Sequence, residues 1–246
     1  MGHTASFRVR AFSLVELVGV VAILAILVML LLPMAGTLKD IARKVACRNN
    51  LRQLTAALLV YGQQNRNRVP MQLVRQVPAT NMLSQYNTYG YYASATNPVG
   101  VLGLGRVATE QELPPKSLYC PQNTHPSWLL SGNLADDGSF YPLNRSDGTC
   151  NLGYSLRATV ASNQEVPMAT VSSASYAMVM DIAFTRYAMK FQHRTGTNVA
   201  YGDGHGQWVP WSAIASAYGG LPYNSTGTTY NPAMTTYFAA LDAQAQ

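Results

Sequence analysis

Charge is what this chain has least of. Only 11% of its 246 residues are charged, well below the usual quarter, while Tyr, Ser, Thr, Asn and Gly are plentiful. That composition excludes a disordered, charge-solvated tail and describes a folded, weakly charged surface of the extracytoplasmic type. The little charge present is uneven. Up to Asn65, seven basic residues (Arg8, Arg10, Lys39, Arg43, Lys44, Arg48, Arg52) stand against Glu16 and Asp40, a net +5 of the overall +6. Beyond Asn65, ten basic and nine acidic residues nearly cancel. The basicity belongs to the first segment, so a nucleic-acid-binding head is excluded. Catalytic signatures are missing too: there is no CxxC, HExxH or GxSxG. The glycines of VGVLGLGRV (99–107) miss the GxGxxG spacing and run toward Pro114-Pro115, so they read as turn or core packing instead of opening a helix after a strand. No enzymatic activity is expected.

What the chain does have is a long apolar run, FSLVELVGVVAILAILVMLLLPMAG (12–36). From Leu17 to Met34 its 18 residues carry no charge, which as a helix spans about 27 Å, just enough for a bilayer's hydrocarbon core. A secretory signal would have a shorter apolar region of about 7–15 residues and an A-x-A-like site, which Pro33-Met34-Ala35 matches poorly. A plain anchor has no reason to hold Glu16, because a carboxylate at depth costs about 2.5–3.5 kcal/mol. Cleavage between Ala11 and Phe12 explains it. Glu16 then lies in the first turn of a helix, where the macrodipole favours negative charge and where a neighbouring subunit's α-amino group could neutralise it.

These residues resemble the class III leader of type IV pilins and type II secretion pseudopilins. That leader is short and basic, is cut before Phe, and is followed by Glu at the fifth mature position and often Pro at the twenty-second. Counting Phe12 as one, Glu16 is fifth and Pro33 twenty-second. One position departs from the pattern: Ala11 stands where Gly is usual, with small size kept. The resemblance implies a leader (1–11) removed by a prepilin peptidase, a spine helix (12–65, with 12–34 the transmembrane or filament core), and a head (66–246). Past the run, Leu38, Ile41, Val45, Leu51, Leu54, Leu58 and Tyr61 continue at mostly three- and four-residue steps, without Gly or Pro between Thr37 and Tyr61, so one helix is expected to about Asn65. Such a rod is roughly 80 Å long, and Pro33 would bend it. Lys39, Arg43, Lys44, Arg48 and Arg52 are either a solvated face or a contact to anionic headgroups or acidic neighbours.

Segments 66–98 and 121–175 read as long loops joining short strands. Weak helical patterns lie near Trp211–Tyr218 and Met234–Ala243. ASYAMVMDIAF (174–184) reads as a central strand, and TNVAYGDGHGQWVP as a hairpin turning at Asp203-Gly204. A second resemblance joins these parts. His193 followed by nine residues and Asp203-Gly204 is similar to the signature of the prepilin-type processing-associated H-X9-DG proteins. CRNNLRQLTAALLVY (47–61), KSLYCPQN (116–123) and GYSLRA (153–158) resemble further stretches of that group. It implies an α+β, pilin-like fold, a long N-terminal helix on an antiparallel sheet, and supplies no enzymatic activity.

For His193, Asp203, His205 and Asp181 two readings stand. One is a metal or calcium site in the head, as in some pseudopilins, although calcium prefers several oxygen ligands. The favoured one is structural: His193 bonds across the sheet and Asp203 caps its own turn. The resemblance places Cys47, Cys120 and Cys150 outside the cytoplasm, where disulfides persist. Cys120–Cys150 is the expected pair, worth about 3–4 kcal/mol, with Cys47 a small buried apolar residue; other pairings stay open. The function expected is a non-enzymatic subunit of a pilus-like filament or secretion pseudopilus. Its expected partners are like subunits, the prepilin peptidase and the inner membrane, with the head extracytoplasmic and no nucleic acid bound. The mature form is expected in a periplasmic pseudopilus or an extracellular filament. The alternative is a membrane-anchored binding protein whose aromatic loops, such as SQYNTYGYYASATNP (84–98), stack on carbohydrate or hold an exported substrate. A DNA-uptake role through residues 39–52 ranks last.

Overall fold

The computed structural model describes residues 13–70, 73–77, 82–86, 89–92, 100–101, 103–125, 129, 149–157, 166–182, 186–221 and 230–245. The chain forms two units, Met1–Ala42 and Arg43–Gln246. One helix, α1 (Leu14–Gln64), contributes to both. Ala11 and Phe12 lie outside the described residues, as do the side chains of residues 31–35, among them Pro33.

In the first unit α1 opens with a reciprocal cap. Ser13 Oγ accepts the Val15 N–H at 3.4 Å, and Glu16 Oε2 accepts the Ser13 N–H at 2.9 Å. This is the S-x-x-E capping-box pattern, so Glu16 has a partner within its own chain. From Leu14 to Leu30 every large apolar side chain is at least half exposed, Val20 least at 50%. Because they occupy nearly consecutive positions, the helix is apolar on all sides. Among the described residues no helix is long and apolar enough to cross a membrane. The run read from the sequence reaches Met34, and its last side chains are outside that description.

In the second unit the end of α1 changes character. Cys47, Leu51, Leu54, Leu58 and Tyr61 are fully buried, each large side chain contributing about 1.5–3 kcal/mol on burial. Leu38, Ile41 and Val45, on the same sequence periodicity, are exposed. The short strands β1 (Arg68–Val69), β2 (Leu73–Val77), β3 (Met82–Tyr86), β4 (Tyr89–Tyr92) and β5 (Gly100–Val101) follow. Helix α2 (Gly103–Glu110) comes next, then a 3-10 turn, Pro115–Leu118. The glycines of 99–107 therefore do open a helix after a strand, correcting the expectation. Leu104, Val107 and Ala108 are buried in the core with Gly103 and Gly105 beside them, which is packing and not a phosphate loop.

Strands β6 (Thr149–Asn151), β7 (Tyr154–Leu156), β8 (Val166–Pro167) and β9 (Ala177–Asp181) precede a short helix, α3 (Arg186–Met189). The chain ends with β10 (Gly196–Tyr201), β11 (Gly206–Pro210), α4 (Ala215–Gly220) and α5 (Tyr230–Asp242). The main sheet is antiparallel with order β11-β10-β9-β7, and β1-β8, β2-β3 and β5-β4-β6 form small separate sheets. The architecture is α+β. β9 and β10 are central and buried along their whole length, which is why ASYAMVMDIAF is apolar without alternation.

One face of the sheet packs on the end of α1, through Met178, Val179, Ala200, Tyr154 and Leu156. The other carries Ala177, Met180, Val199 and Tyr201 against Ile214, Met234, Tyr237, Phe238 and Leu241. α5 is tied down by Arg157, whose Nη1 donates to both Asp242 oxygens at 2.7 and 2.9 Å. Tyr201 also donates its hydroxyl hydrogen to the Leu241 carbonyl at 3.0 Å. The hairpin turns where expected, with Gly204 at φ +91°, a backbone state that favours glycine.

Three cations of the basic segment face this head. Lys44 Nζ lies 4.3 Å from the Trp208 ring centroid and donates to Thr195 Oγ1 at 3.4 Å. Arg48 and Arg52 pass beside Gly206.

Candidate functional site

Four elements bring their chemistry to one buried point between α1 and the sheet. Cys47 stands on the inward face of α1, and Cys120 follows the 3-10 turn. Asp181 ends β9, while His193 follows the turn after α3, its N–H donating to the Met189 carbonyl at 3.3 Å. All four are 3% exposed or less.

Cys47 and Cys120 form a disulfide with Cα atoms 5.3 Å apart. This corrects the expected Cys120–Cys150 pair. Cys150 lies on β6 opposite Tyr91, in a different sheet, and its side chain is outside the described residues. Cys47 is not merely a small apolar residue, because the helix face that buries it meets the stretch carrying Cys120.

His193 Nε2 lies 3.3 Å from Asp181 Oδ2, 3.2 Å from Asn198 Nδ2 and 3.6 Å from Cys120 Sγ. Its ring meets Trp208 edge-on at 5.3 Å. Asp181 Oδ2 also accepts the Asn198 backbone N–H at 2.6 Å and its side-chain Nδ2–H at 3.0 Å. Asp181 Oδ1 is buried without a hydrogen-bond partner among the described residues. Burial pushes the Asp181 carboxyl up, against the opposing pull of His193 and the Asn198 donors. Burial, with Asp181 adding to it, pushes the Tyr154 hydroxyl well above its usual range, while the bond from Asn50 pulls the other way.

The motif's other end does something separate. Asp203 Oδ1 accepts the His205 N–H at 3.0 Å and sits 2.6 Å from His205 Nδ1, in an exposed turn. His193 and Asp203 thus do not share a site. Desolvation is the largest single influence on the Asp203 carboxyl and pushes it up, but the His205 bonds and charge together with its own backbone N–H hold it below its usual range.

Several residues at this point carried no signal by themselves. Asn50 Nδ2 donates to the Tyr119 carbonyl at 3.3 Å and to Tyr154 Oη at 3.1 Å. Gln192 Oε1 accepts the Ile182 N–H at 2.6 Å, and its Nε2–H donates to the Gly153 carbonyl. The Gly153 N–H donates to the Leu118 carbonyl at 2.9 Å. The stretches CRNNLRQ, KSLYCPQN and GYSLR and the residue His193, distant in sequence, therefore meet here. Their co-occurrence was the available signal, and only the fold shows that it is spatial.

A Cβ at Gly153 would fall 2.7 Å from Tyr119 Cα and 2.9 Å from the Cys120 nitrogen, both backbone. Gly153→Ala is expected to destabilise the head by about 1–3 kcal/mol through overpacking, read as a lower urea midpoint at unchanged slope. A wild-type midpoint would contradict this packing.

The donor set of two sulfurs, an imidazole and one carboxylate does not suit calcium, which takes 6–8 oxygens. Nor does it form a nucleophile–base–orienter arrangement, because the sulfurs are bonded to each other. The chain matches no protein-family model, no curated protein and no solved structure.

Proposed function

We propose that this chain is a non-enzymatic, pilin-like subunit that assembles through α1 into a type IV pilus-like filament or a type II secretion pseudopilus. The observation that carries this reading is the helix apolar on every side from Leu14 to Leu30, with its large apolar side chains at least half exposed. A surface of that kind demands a cover of lipid or of like helices. The other half of the same helix is built into the core of an α+β head, so whatever covers the first half is coupled to a folded body.

The mechanism has four steps. The precursor inserts with Arg8 and Arg10 cytoplasmic. A prepilin peptidase cuts after Ala11 and methylates Phe12. The apolar helix then leaves the bilayer and packs against equivalent helices, Pro33 giving it a bend. Glu16 meets the Phe12 amine of a neighbour and sets the axial register. The His193, Asp203 and Gly204 signature serves the head's internal structure, and no cofactor is required.

A photo-crosslinking residue at Leu24 tests the assembly step in native membranes. A ladder of multimers on irradiation is the expected outcome. Adducts confined to a monomer would contradict it and favour the anchored binding protein.

A further inference from the structure

We propose that Cys47, Cys120, His193 and Asp181 form a tetrahedral site for a soft divalent cation of the zinc class when the Cys47–Cys120 disulfide is reduced. The inference stands on the head alone and does not rest on the filament reading.

The ligand atoms of the four residues all lie within 4.8 Å of one another. Zinc bonds of about 2.3 Å to sulfur, 2.0–2.1 Å to nitrogen and 2.0–2.2 Å to oxygen set the edges of a tetrahedron. They come to about 3.6 Å between sulfur and nitrogen and about 3.4 Å between nitrogen and oxygen. The observed Cys120 Sγ to His193 Nε2 distance is 3.6 Å, and His193 Nε2 to Asp181 Oδ2 is 3.3 Å. Two edges are therefore already at metal-site length. The other three edges from the sulfurs to the nitrogen and oxygen lie within 4.8 Å, and the two sulfurs must part to about 3.8 Å once their bond is broken. Asp181 brings an independent sign: its Oδ1 is buried with no hydrogen-bond partner among the described residues, an expensive state for a carboxylate that lacks a cation. Asn198 bonds the Asp181 oxygen from the backbone and the side chain, the kind of outer support that orients a ligating carboxylate.

The chemistry balances as follows. A dithiol reductant supplies two electrons and two protons, giving two Cys thiols and leaving the reductant as its own disulfide. The cation then enters and both thiol protons go to solvent. Thiolates, carboxylate and neutral imidazole bind it, and the site carries one net negative charge. Disulfide and cation exclude each other, since the same two sulfurs serve both.

The experiment uses the full chain in detergent, reduced or oxidised, titrated with Co2+ as the spectroscopic probe and then with Zn2+. Zinc-edge X-ray absorption on the reduced wild-type chain follows. The expected result is one equivalent of Co2+ bound with thiolate-to-metal charge transfer in the reduced chain and no such band in the oxidised one. The zinc shell is expected to hold two sulfurs at about 2.3 Å and two lighter atoms at about 2.0–2.1 Å. His193→Ala should weaken binding at least tenfold, and Cys150→Ser should leave it unchanged. Because the reduced and oxidised wild-type chains carry the main comparison, a variant that fails to fold does not decide it. No stoichiometric metal in the reduced chain, a shell of nitrogen and oxygen alone, or binding indifferent to oxidation would each overturn the proposal.

Discussion

Glu16→Ala is expected to leave leader cleavage and the folded head intact while abolishing assembly. The head's core begins at Cys47, so the substitution touches none of it. Glu16 caps its own helix and is proposed to pair with a neighbour's amine, and the magnitudes separate the two roles. Loss of a helix cap costs about 0.5–2 kcal/mol, too little to dissolve a helix of 51 residues. Loss of the partner of a buried α-amino group costs about 3–5 kcal/mol per contact, and a polymer repeats that cost at every subunit. Glu16→Gln divides the two, since Gln also serves in a capping box but carries no charge. It is expected to keep the Ser13 cap and still fail to assemble. Recovery of protein in the sheared surface fraction reads the outcome, with cleavage followed by mass. Normal filaments from Glu16→Gln would reduce Glu16 to a cap and end the register argument.

The second large effect falls on the head. Cys47→Ala removes a cross-link between residues separated by 73 positions. Loop-closure entropy puts its contribution at about 4 kcal/mol, a large part of the ~5–15 kcal/mol that keeps a domain folded. Cys47 is fully buried, so a small cavity adds to the loss. The oxidised variant should unfold at a far lower urea concentration than wild type, whereas Cys150→Ala should stay within about 1 kcal/mol. The unfolded, non-reduced wild-type chain should show one free thiol, that of Cys150. Three thiols, or a peptide joining Cys120 to Cys150, would contradict the bond described.

Much of the scaffold was legible because it obeys local rules. The three- and four-residue steps from Leu51 to Tyr61 gave a helix ending at Gln64, and Asp203-Gly204 marked a turn that only a few residue pairs make easily. The weak patterns near 211–218 and 234–243 correspond to α4 and α5, which gain their order by packing on Tyr201 and Val209. The site was less legible because it is non-local. Nothing in Cys47's neighbourhood states that its helix face meets residue 120, and Asp181 and Asn198 are paired only by the register of β9 and β10. The contacts of the basic residues were hidden for the same reason. Lys44 adds a ring contact to Trp208 that local sequence does not state, while Lys39 and Arg52 are exposed. The glycines of 99–107 hid a helix whose buried residues, Leu104, Val107 and Ala108, are spaced by three and one, too short a pattern to declare a period.

The proposed assembly rests on a processed N-terminus, and the most direct test is the intact mass and N-terminal sequence of the chain from its native membrane or sheared surface fraction. A chain beginning at N-methylated Phe12 is expected. A chain that retains Arg8 and Arg10, or one that begins after Ala35, would contradict it.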